Sequence, residues 1–311
     1  PSERAGGQAG VALEWRALPP PKPPSERAGG QAGVALEWRV LPPPKFPVTL
    51  TFALTLVALG FTGAIVAGMF GVGGAIVMIP LLLYVPPLLG VGALDVKSVA
   101  GVTMVQVFVA ALSGMIAHRR RRAVHARLAW IGGGAMATGA IAGALASAVL
   151  PDLVLLAVFA LMATAAAILM FLPLETIDQP IFAEHVTFDP FRAVPVCAIV
   201  GIAAGLVGAG GAFLLVPLLL IVVGIPIRVT IGSSLAITAL AALAGVAGKL
   251  VTGQVPLGPA VAVAFGALPG AQLGGRLSRR LSGARLKQVL GLIVVVSALR
   301  VWIDLLERLL H

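Results

Sequence analysis

Two stretches of this chain, GMFGVGGAIVMIPLLL at residues 68–83 and GLVGAGGAFLLVPLLL at residues 205–220, read almost alike. Nine of the sixteen aligned positions are identical, among them both members of the Gly-Gly pair and the proline that follows it. The likeness continues downstream after a six-residue change of offset, for example at Gly101 and Gly232. Two copies of one apolar module of about a hundred residues, each interrupted by glycine and proline, are typical of secondary transporters.

The composition predicts a membrane protein. Hydrophobic residues make up 59% of the chain and charged residues only 11%, whereas roughly a quarter of the residues of a soluble domain are charged. Between residues 47 and 117 only Asp95 and Lys97 carry a charge. We therefore expect an all-α, multi-pass integral membrane protein. The single cysteine, Cys197, can form no intrachain disulfide.

The sequence divides into five predicted parts. Residues 1–46 are a tandem repeat of period 23, rich in Pro, Gly and Ala, which is typical of a disordered tail. Residues 47–173 form the first transmembrane repeat, and residues 193–303 form the second. Residues 174–192 are a connecting loop, and residues 304–311 are a C-terminal tail.

The second apolar segment of each repeat is doubtful as a membrane crossing. These segments, at residues 74–92 and 212–227, begin at a glycine cluster and contain Pro80 or Pro217, which we expect to act as structural hinges. Short segments interrupted by Gly and Pro at matching places are expected of discontinuous or re-entrant helices. Whether they span or re-enter stays open, so we expect about 8–10 transmembrane or re-entrant helical segments.

Two basic loops set the predicted orientation. Residues 118–127 and 276–287 each carry five cations, which the positive-inside rule places in the cytoplasm. In the repeat alignment the first loop corresponds to residues 249–256 and the second to residues 150–152. Equivalent loops then lie on opposite sides, which predicts two inverted-topology repeats with an odd number of crossings each. Arginines held between apolar segments are topology anchors at the lipid bilayer, so we expect no nucleic-acid partner.

The glycine clusters are predicted to bind an anionic substrate. Glycine allows successive backbone N–H groups to approach a ligand, and a helix that starts inside the membrane presents unpaired N–H groups and a positive dipole end. Close helix packing through small residues is the alternative explanation. The candidate substrate-binding residues are Gly71, Gly73, Gly74, Gly208, Gly210 and Gly211.

Polar residues in the third segment of each repeat are further candidates. Thr103, Ser233 and Ser234 could donate hydrogen bonds to an oxyanion, or could bond back to carbonyls of their own helix.

Lys249 is expected on the extracytoplasmic side, where it would draw anions towards an outward-facing vestibule. Its alternative is to snorkel to the membrane interface. Gln106 and Gln272 are uncharged candidates whose amides more often join neighbouring helices.

In combination, these motifs resemble the sulfite exporter TauE/SafE family of bacterial membrane proteins. The resemblance rests on the two glycine–proline motifs, on IGSSL at residues 231–235, on the basic loop that begins at His118, and on GGRLSRRL at residues 274–281. It covers roughly residues 50 to 303. It implies a permease in the cytoplasmic (inner) membrane of a bacterium for small sulfur-containing oxyanions such as sulfite or sulfoacetate, usually in the export direction.

We therefore expect a secondary transporter that exports such anions by alternating access. The alternatives are an anion channel, or a permease for another small organic anion. The four histidines stand in no metal-ligand spacing within an apolar segment, so we expect no enzyme, no catalytic residue, no metal and no cofactor. A scaffold that recruits partners through the repeated tail is a third class, and a homo-oligomer stays open.

Overall fold

The computed structural model describes residues 49–70, 73–119, 124–171, 186–277 and 283–310. These residues form helices and no strands, so the all-α prediction is confirmed. The first repeat contains α1 (Leu50–Phe70), α2 (Ala75–Leu88), α3 (Val96–Arg119), α4 (Ala126–Val149) and α5 (Asp152–Phe171). The second contains α6 (Pro190–Val207), α7 (Ala212–Leu218), α8 (Ile227–Val251), α9 (Leu257–Leu277) and α10 (Gly283–Leu310). The predicted tail at residues 1–46 and the candidate Gly71 lie outside the described residues.

The helices follow the apolar segments of the sequence, with differences at the ends of the second repeat. α6 begins at Pro190, because the Asp189 side chain accepts a hydrogen bond from the Phe191 N–H at 2.9 Å and caps the helix. α10 continues to Leu310, through most of the segment predicted as a C-terminal tail. Its buried face continues with Val301 and Leu305, which explains the extension.

Seven of the described helices are long and apolar enough to cross a membrane, namely α1, α3, α4, α5, α6, α8 and α9, whereas α2 and α7 are shorter apolar helices. α2 has 14 residues, a length of about 21 Å against a hydrocarbon core of about 30 Å. α7 continues through a π-helical turn, Leu219–Val223, to give an apolar segment of similar length, Ala212–Val223. Pro217 lies just before this turn, where the missing N–H of proline favours a break in the helical hydrogen bonds.

The two repeats interlock through their first and fourth helices. α1 packs mainly on α9, and its counterpart α6 packs mainly on α4. Glycines make both contacts possible. A Cβ atom added at Gly274 would overlap the carbonyl oxygen of Ile65, and one added at Gly143 would overlap that of Ile202. Without side chains at these positions, the helix backbones touch directly, as in the small-residue interfaces of membrane bundles.

The same contacts give the relative directions of the helices. Gly139 lies against Ala198 and Gly143 against Ile202, so α4 and α6 run parallel. Gly60 lies against Val263. Together with the contact between Gly274 and Ile65, this makes α1 parallel to α9.

The third helices of the two repeats cross in opposite directions. Gly114 of α3 lies against Leu235 of α8, and Gly245 of α8 lies against Met104 of α3. Because α3 and α8 are copies of one element, their antiparallel contact fits two repeats related by an axis perpendicular to the helices, as inverted repeats require.

We predict that the glycine contact between α4 and α6 is essential for stability. Gly143→Val should lower the thermal unfolding midpoint strongly, since overpacking costs about 1–3 kcal/mol even where side chains can adjust and here the obstacle is backbone. Gly134→Val is the matched control, because Gly134 lies on the same helix with no atom within 4 Å of an added Cβ. Thermal unfolding of the purified variants in detergent measures both. Equal midpoints for the two variants would contradict the packing described here.

Candidate functional site

Left-handed glycines form the two loops that lead into α2 and α7. Gly73, Gly74, Gly208, Gly210 and Gly211 have φ values between 62° and 77°. Side chains other than glycine rarely adopt this conformation. Gly74 and Gly211 are the N-cap residues of α2 and α7, and neither helix start has a side-chain cap.

The loops of the two repeats meet between α3 and α8. A Cβ added at Gly73 would lie 3.4 Å from Val107 Cγ1, 3.5 Å from Ala212 Cβ and 3.9 Å from Thr238 Cγ2. A Cβ added at Gly210 would contact the same Val107 and Thr238 side chains. Gly73 and Gly210 are equivalent in the repeat alignment, and so are Val107 and Thr238. The meeting point therefore lies at the approximate two-fold centre of the repeats, and we call it the central site.

Two helix starts converge at the central site. The N–H groups of Val77 and Met78 bond to the Gly74 carbonyl, and those of Leu214 and Leu215 bond to the Gly211 carbonyl. The N–H groups earlier in each helix have no intrahelical partner by the geometry of an α-helix. Two positive dipole ends, each equivalent to about half an elementary charge, thus meet in the apolar interior.

Unpartnered polar side chains lie on the helices that flank these loops. Thr103, Gln106 and Thr238 are each 0% exposed. The Thr103 and Thr238 hydroxyls and both amide atoms of Gln106 have no hydrogen-bond partner within the described part of the chain. Each such group costs about 1–3 kcal/mol when it stays unpaired. Of these side chains, Thr238 lies against Gly73 and Gly210, which makes the central site a candidate site for a small polar ligand.

The predicted candidate Thr103 faces the second glycine loop. Ala100, Thr103 and Val107 follow one another at i, i+3 and i+7, so they share one face of α3. A Cβ at Gly208 would overlap Ala100, and a Cβ at Gly210 would contact Val107. Thr103 therefore lies between the two residues of α3 that contact this loop.

Ser233 and Ser234 have partners elsewhere. The Ser233 hydroxyl accepts a hydrogen bond of 3.0 Å from the His125 N–H, which anchors the start of α4. The Ser234 hydroxyl donates at 3.0 Å to the Ile231 carbonyl of its own helix. Ser234 still shares a face of α8 with Thr238, one turn later, whereas the Ser233 hydroxyl is tied to the α3–α4 connection. Gln272 is exposed on α9 and joins no helices in the interior.

Sequence reasoning missed Thr238 and gave Gln106 only a minor place. Thr238 breaks an otherwise apolar run one turn after Ser234, and its equivalent in the first repeat is the apolar Val107. The sequence could have pointed to Thr238 through this difference, because a polar residue that replaces an apolar one in only one of the two repeats suggests a local role.

Lys249 is buried in the structure, contrary to the expected position in an open vestibule or at the membrane interface. Its side chain is 0% exposed. The ammonium group donates to Ser147 Oγ at 2.9 Å, to Gln254 Oε1 at 3.1 Å and to the Leu206 carbonyl at 3.4 Å. No carboxylate is among these partners.

Helix ends explain how this ammonium is stabilised. Gly132 of α4 lies against Ile237, and Gly248 lies against Ala144, so α4 and α8 run parallel. With α6 parallel to α4, three helices end together around Lys249, and their C-terminal carbonyls carry partial negative charge. Lys97 binds the same end of α4, through the Ala148 carbonyl at 2.8 Å. Leu206 is two positions before Gly208, so this contact places the Lys249 ammonium near the second glycine loop.

A cavity of about 440 Å³ lies between α3, α4 and α8, away from these polar groups. Its lining is apolar and includes Leu112, Trp130 and Leu243. Among the lining side chains only Trp130 carries a hydrogen-bond donor, its indole N–H, so this cavity is a poorer candidate for an anion than the central site.

The helical fold and the comparisons together define a polytopic membrane transporter rather than an enzyme. The family model of "Sulfite exporter TauE/SafE" matches residues 56–301, so the chain belongs to that family. This confirms the resemblance seen in the sequence. No solved structure matches the chain.

Curated relatives carry general names. A "Probable membrane transporter protein" of Xylella fastidiosa is 30% identical over 256 residues, which is 81% of this chain and 96% of the relative. The "Probable membrane transporter protein YdhB" of Bacillus subtilis is 24% identical over 250 residues, which is 79% of this chain and 98% of the relative.

We predict that the Lys249 contacts stabilise the fold. Lys249→Met should lower the free energy of unfolding by about 1–3 kcal/mol, because the Leu206 carbonyl and the Gln254 amide lose a buried donor. Lys97→Met is the control, since it removes the same charge from a half-buried residue with one carbonyl partner. Thermal unfolding in detergent compares the two. A Lys249→Met protein as stable as the wild type would show that these contacts contribute nothing.

Proposed function

We propose that the protein is a secondary transporter that exports small sulfur-containing oxyanions, such as sulfite or sulfoacetate, across the cytoplasmic membrane. The main support is the convergence of two helix starts with unpartnered buried donors at the central site. Family membership supports the choice of substrate. A permease for another small organic anion is the second candidate, since the relatives carry no substrate in their names.

Donors of both repeats would hold the anion. The backbone N–H groups of Gly73, Gly74, Gly210 and Gly211 would donate from the helix starts, and Gly208 would complete the second loop. Gly71 lies outside the described residues and is proposed as a binding residue because it aligns with Gly208. Hydroxyls of Thr103 and Thr238 would donate from the two sides, and Ser234 could join them by breaking the bond to its own helix. Ser233 would act indirectly, by holding the α3–α4 connection. Neutral donors in a low-dielectric interior bind an anion more strongly than they would in water.

Lys249 would serve this site by position and by charge. Its hydrogen bond to the Leu206 carbonyl holds the chain just before the second glycine loop. Its positive charge is buried, so salt in the solvent screens it little. We therefore assign it to supporting the bound anion rather than to attracting anions from solution.

The two repeats, residues 47–173 and 193–303, would together form the transport unit. We propose that they are inverted, with the basic loops at residues 118–127 and 276–287 in the cytoplasm and residues 1–46 as a tail outside the transport unit. The short helices α2 and α7 then enter from opposite sides and meet at the central site. Rocking about this centre, with Pro80 and Pro217 as hinges, would expose the site to each side in turn.

Replacing Gly73 by Ala should abolish anion flux while the fold persists. An added Cβ would lie at ordinary contact distances of 3.4 Å and more, but its methyl group would occupy the central site. Gly253→Ala is the matched control, because Gly253 has a similar φ of 70° and no atom within 4 Å of an added Cβ. Both variants carry the same backbone strain of about 1–2 kcal/mol. Sulfite flux in proteoliposomes measures the difference.

Substitution of Gly74 or Gly211 could not separate loss of anion binding from misfolding, since an added Cβ there would press into α1 or α6. Thr238→Val provides a second variant, with flux reduced about tenfold because a hydrogen bond to a charged group is worth about 1.5–3 kcal/mol. Flux that saturates and shows counterflow separates a transporter from a channel. If the Gly73→Ala protein transports as fast as the Gly253→Ala protein, the central site is not the binding site.

A further inference from the structure

The apolar cavity between α3, α4 and α8 is an open groove on the surface of the helix bundle. Its volume is about 440 Å³. Trp130 of α4 and Leu243 of α8 line it, and their side chains are 73% and 52% exposed. Both residues belong to helices that are long and apolar enough to cross the membrane, so the opening of the groove faces lipid.

The groove follows the direction of the helices that form it. On α3 its lining extends from Phe108 to Met115, and on α8 it extends from Ala236 to Leu243. Each of these stretches covers about two helical turns, or about 10 Å along the helix axis. Because α3 is antiparallel and α4 is parallel to α8, the three walls share roughly one direction. A hydrocarbon chain that stands in the bilayer has the same direction.

The lining favours a hydrocarbon chain as the occupant. Its side chains are those of Ala, Val, Leu, Met, Phe and Trp. A water molecule in such a place would lack the two to four polar partners, or about three on average, that ordered internal waters have. An empty groove would leave the atoms of its walls without dispersion contacts on one side. A lipid acyl chain supplies those contacts.

Basic residues stand at one end of the groove. Val124, before α4, and Ala126, at its first residue, both line the groove. In the sequence, residues 118–127 carry five arginines. Of these five, Arg127 is the one whose side chain the structure describes, and it is exposed. It lies one turn before Trp130 on α4, so it shares the face of α4 that borders the groove.

Within the described part of the chain, Arg127 forms no ion pair. Asp189 lies at the same end of the bundle, because α6 is parallel to α4. Its carboxylate caps α6 and lies 3.5 Å from the Arg192 guanidinium. The Arg127 guanidinium is therefore available to a phosphate, which its planar fork of N–H donors can bind in a bidentate manner.

The charge at this end of the groove favours an anionic headgroup. A zwitterionic lipid brings a cationic group with its phosphate, and the surrounding arginines would repel that group. An anionic lipid brings the phosphate alone. Basic pockets between membrane helices bind such headgroups, and tryptophan rings are enriched at the level of the headgroups.

We propose that the groove between α3, α4 and α8 binds one anionic phospholipid, with an acyl chain in the groove and the headgroup phosphate on Arg127. The indole N–H of Trp130 would donate a hydrogen bond to an ester or phosphate oxygen of the same lipid. Val107 and Thr238 lie on two of the three helices that form the groove. The bound lipid would therefore stabilise the helices that hold the central site, whichever anion that site carries.

Two lipids with the same acyl chains test the proposal. Phosphatidylglycerol is anionic and phosphatidylcholine is zwitterionic. Each is added to the delipidated full chain in detergent, and the thermal unfolding midpoint is followed against lipid concentration. We expect phosphatidylglycerol to reach half of its effect at a concentration about tenfold lower, because a hydrogen bond to a charged group contributes about 1.5–3 kcal/mol.

Two pairs of variants locate the binding. Arg127→Gln should lose the preference for phosphatidylglycerol, whereas Arg276→Gln, which removes an exposed arginine from the end of α9, should keep it. Leu243→Trp should fill the groove from its open side and abolish stabilisation by both lipids. Leu268→Trp is its control, since Leu268 is 50% exposed on α9 and does not line the groove. Both tryptophan variants alter exposed positions, so we expect both to fold.

Equal effects of the two lipids on the wild type, or a preference that persists in Arg127→Gln or Leu243→Trp, would overturn the proposal. Glycerol phosphate without acyl chains should not stabilise the protein. If it stabilises as strongly as phosphatidylglycerol, the site binds a free phosphate and the proposal is wrong. A dimer in detergent without lipid that Leu243→Trp dissociates would assign the groove to a second copy of the chain instead.

Discussion

Direct contact between helix backbones holds this protein together. Lipid tails are as apolar as leucine side chains, so membrane helices gain little from burying apolar surface against each other and depend on close packing. Glycines allow that packing where α1 meets α9 and where α4 meets α6. Each of these contacts joins the first helix of one repeat to the fourth helix of the other. Neither repeat can complete its own packing, and the position of each glycine loop is fixed by the partner repeat.

The central site follows from this interlocking. α1 and α6 end at the glycine loops, and both are held by helices of the opposite repeat. The loops then lead to the short helices α2 and α7, whose starts meet against Val107 and Thr238. Unpaired backbone N–H groups are tolerated at this depth only where protein or a bound ligand can satisfy them. The unpartnered side chain of Thr238 lies at this meeting point, and that of Thr103 lies between the two residues of α3 that contact the second glycine loop.

Much of this architecture could be predicted from the sequence, and particular residues show where prediction stopped. The repeated glycine–proline motif predicted the two breaks and the short second helices, because left-handed backbone and proline act locally. The alignment paired Gly139 with Gly270 and Gly143 with Gly274, but it could not show that these glycines face helices of the other repeat. Which helices pack together depends on the three-dimensional structure.

The burial of Lys249 could not be predicted for the same reason. Two of its acceptors, Ser147 and Leu206, lie about 40 to 100 positions earlier in the chain, and Gln254 lies just beyond the end of its helix. The hydrogen bond that Ser233 accepts from the start of α4 likewise joins residues more than a hundred positions apart, so the sequence alone did not indicate it.

Inversion of the two repeats is the central claim, because it brings two helix starts together from opposite sides. Gly90 follows α2 and Gly224 follows α7 and its π-helical turn; both glycines are exposed, with no atom within 4 Å of an added Cβ. Single cysteines at these two positions, with the buried Cys197 replaced by alanine, can be labelled in intact cells by a reagent that does not cross the membrane. We predict that the cysteine at position 90 is labelled from outside and that the cysteine at position 224 reacts only after the membrane is opened. Labelling of both positions from the same side would contradict the inverted arrangement and, with it, the account of the central site.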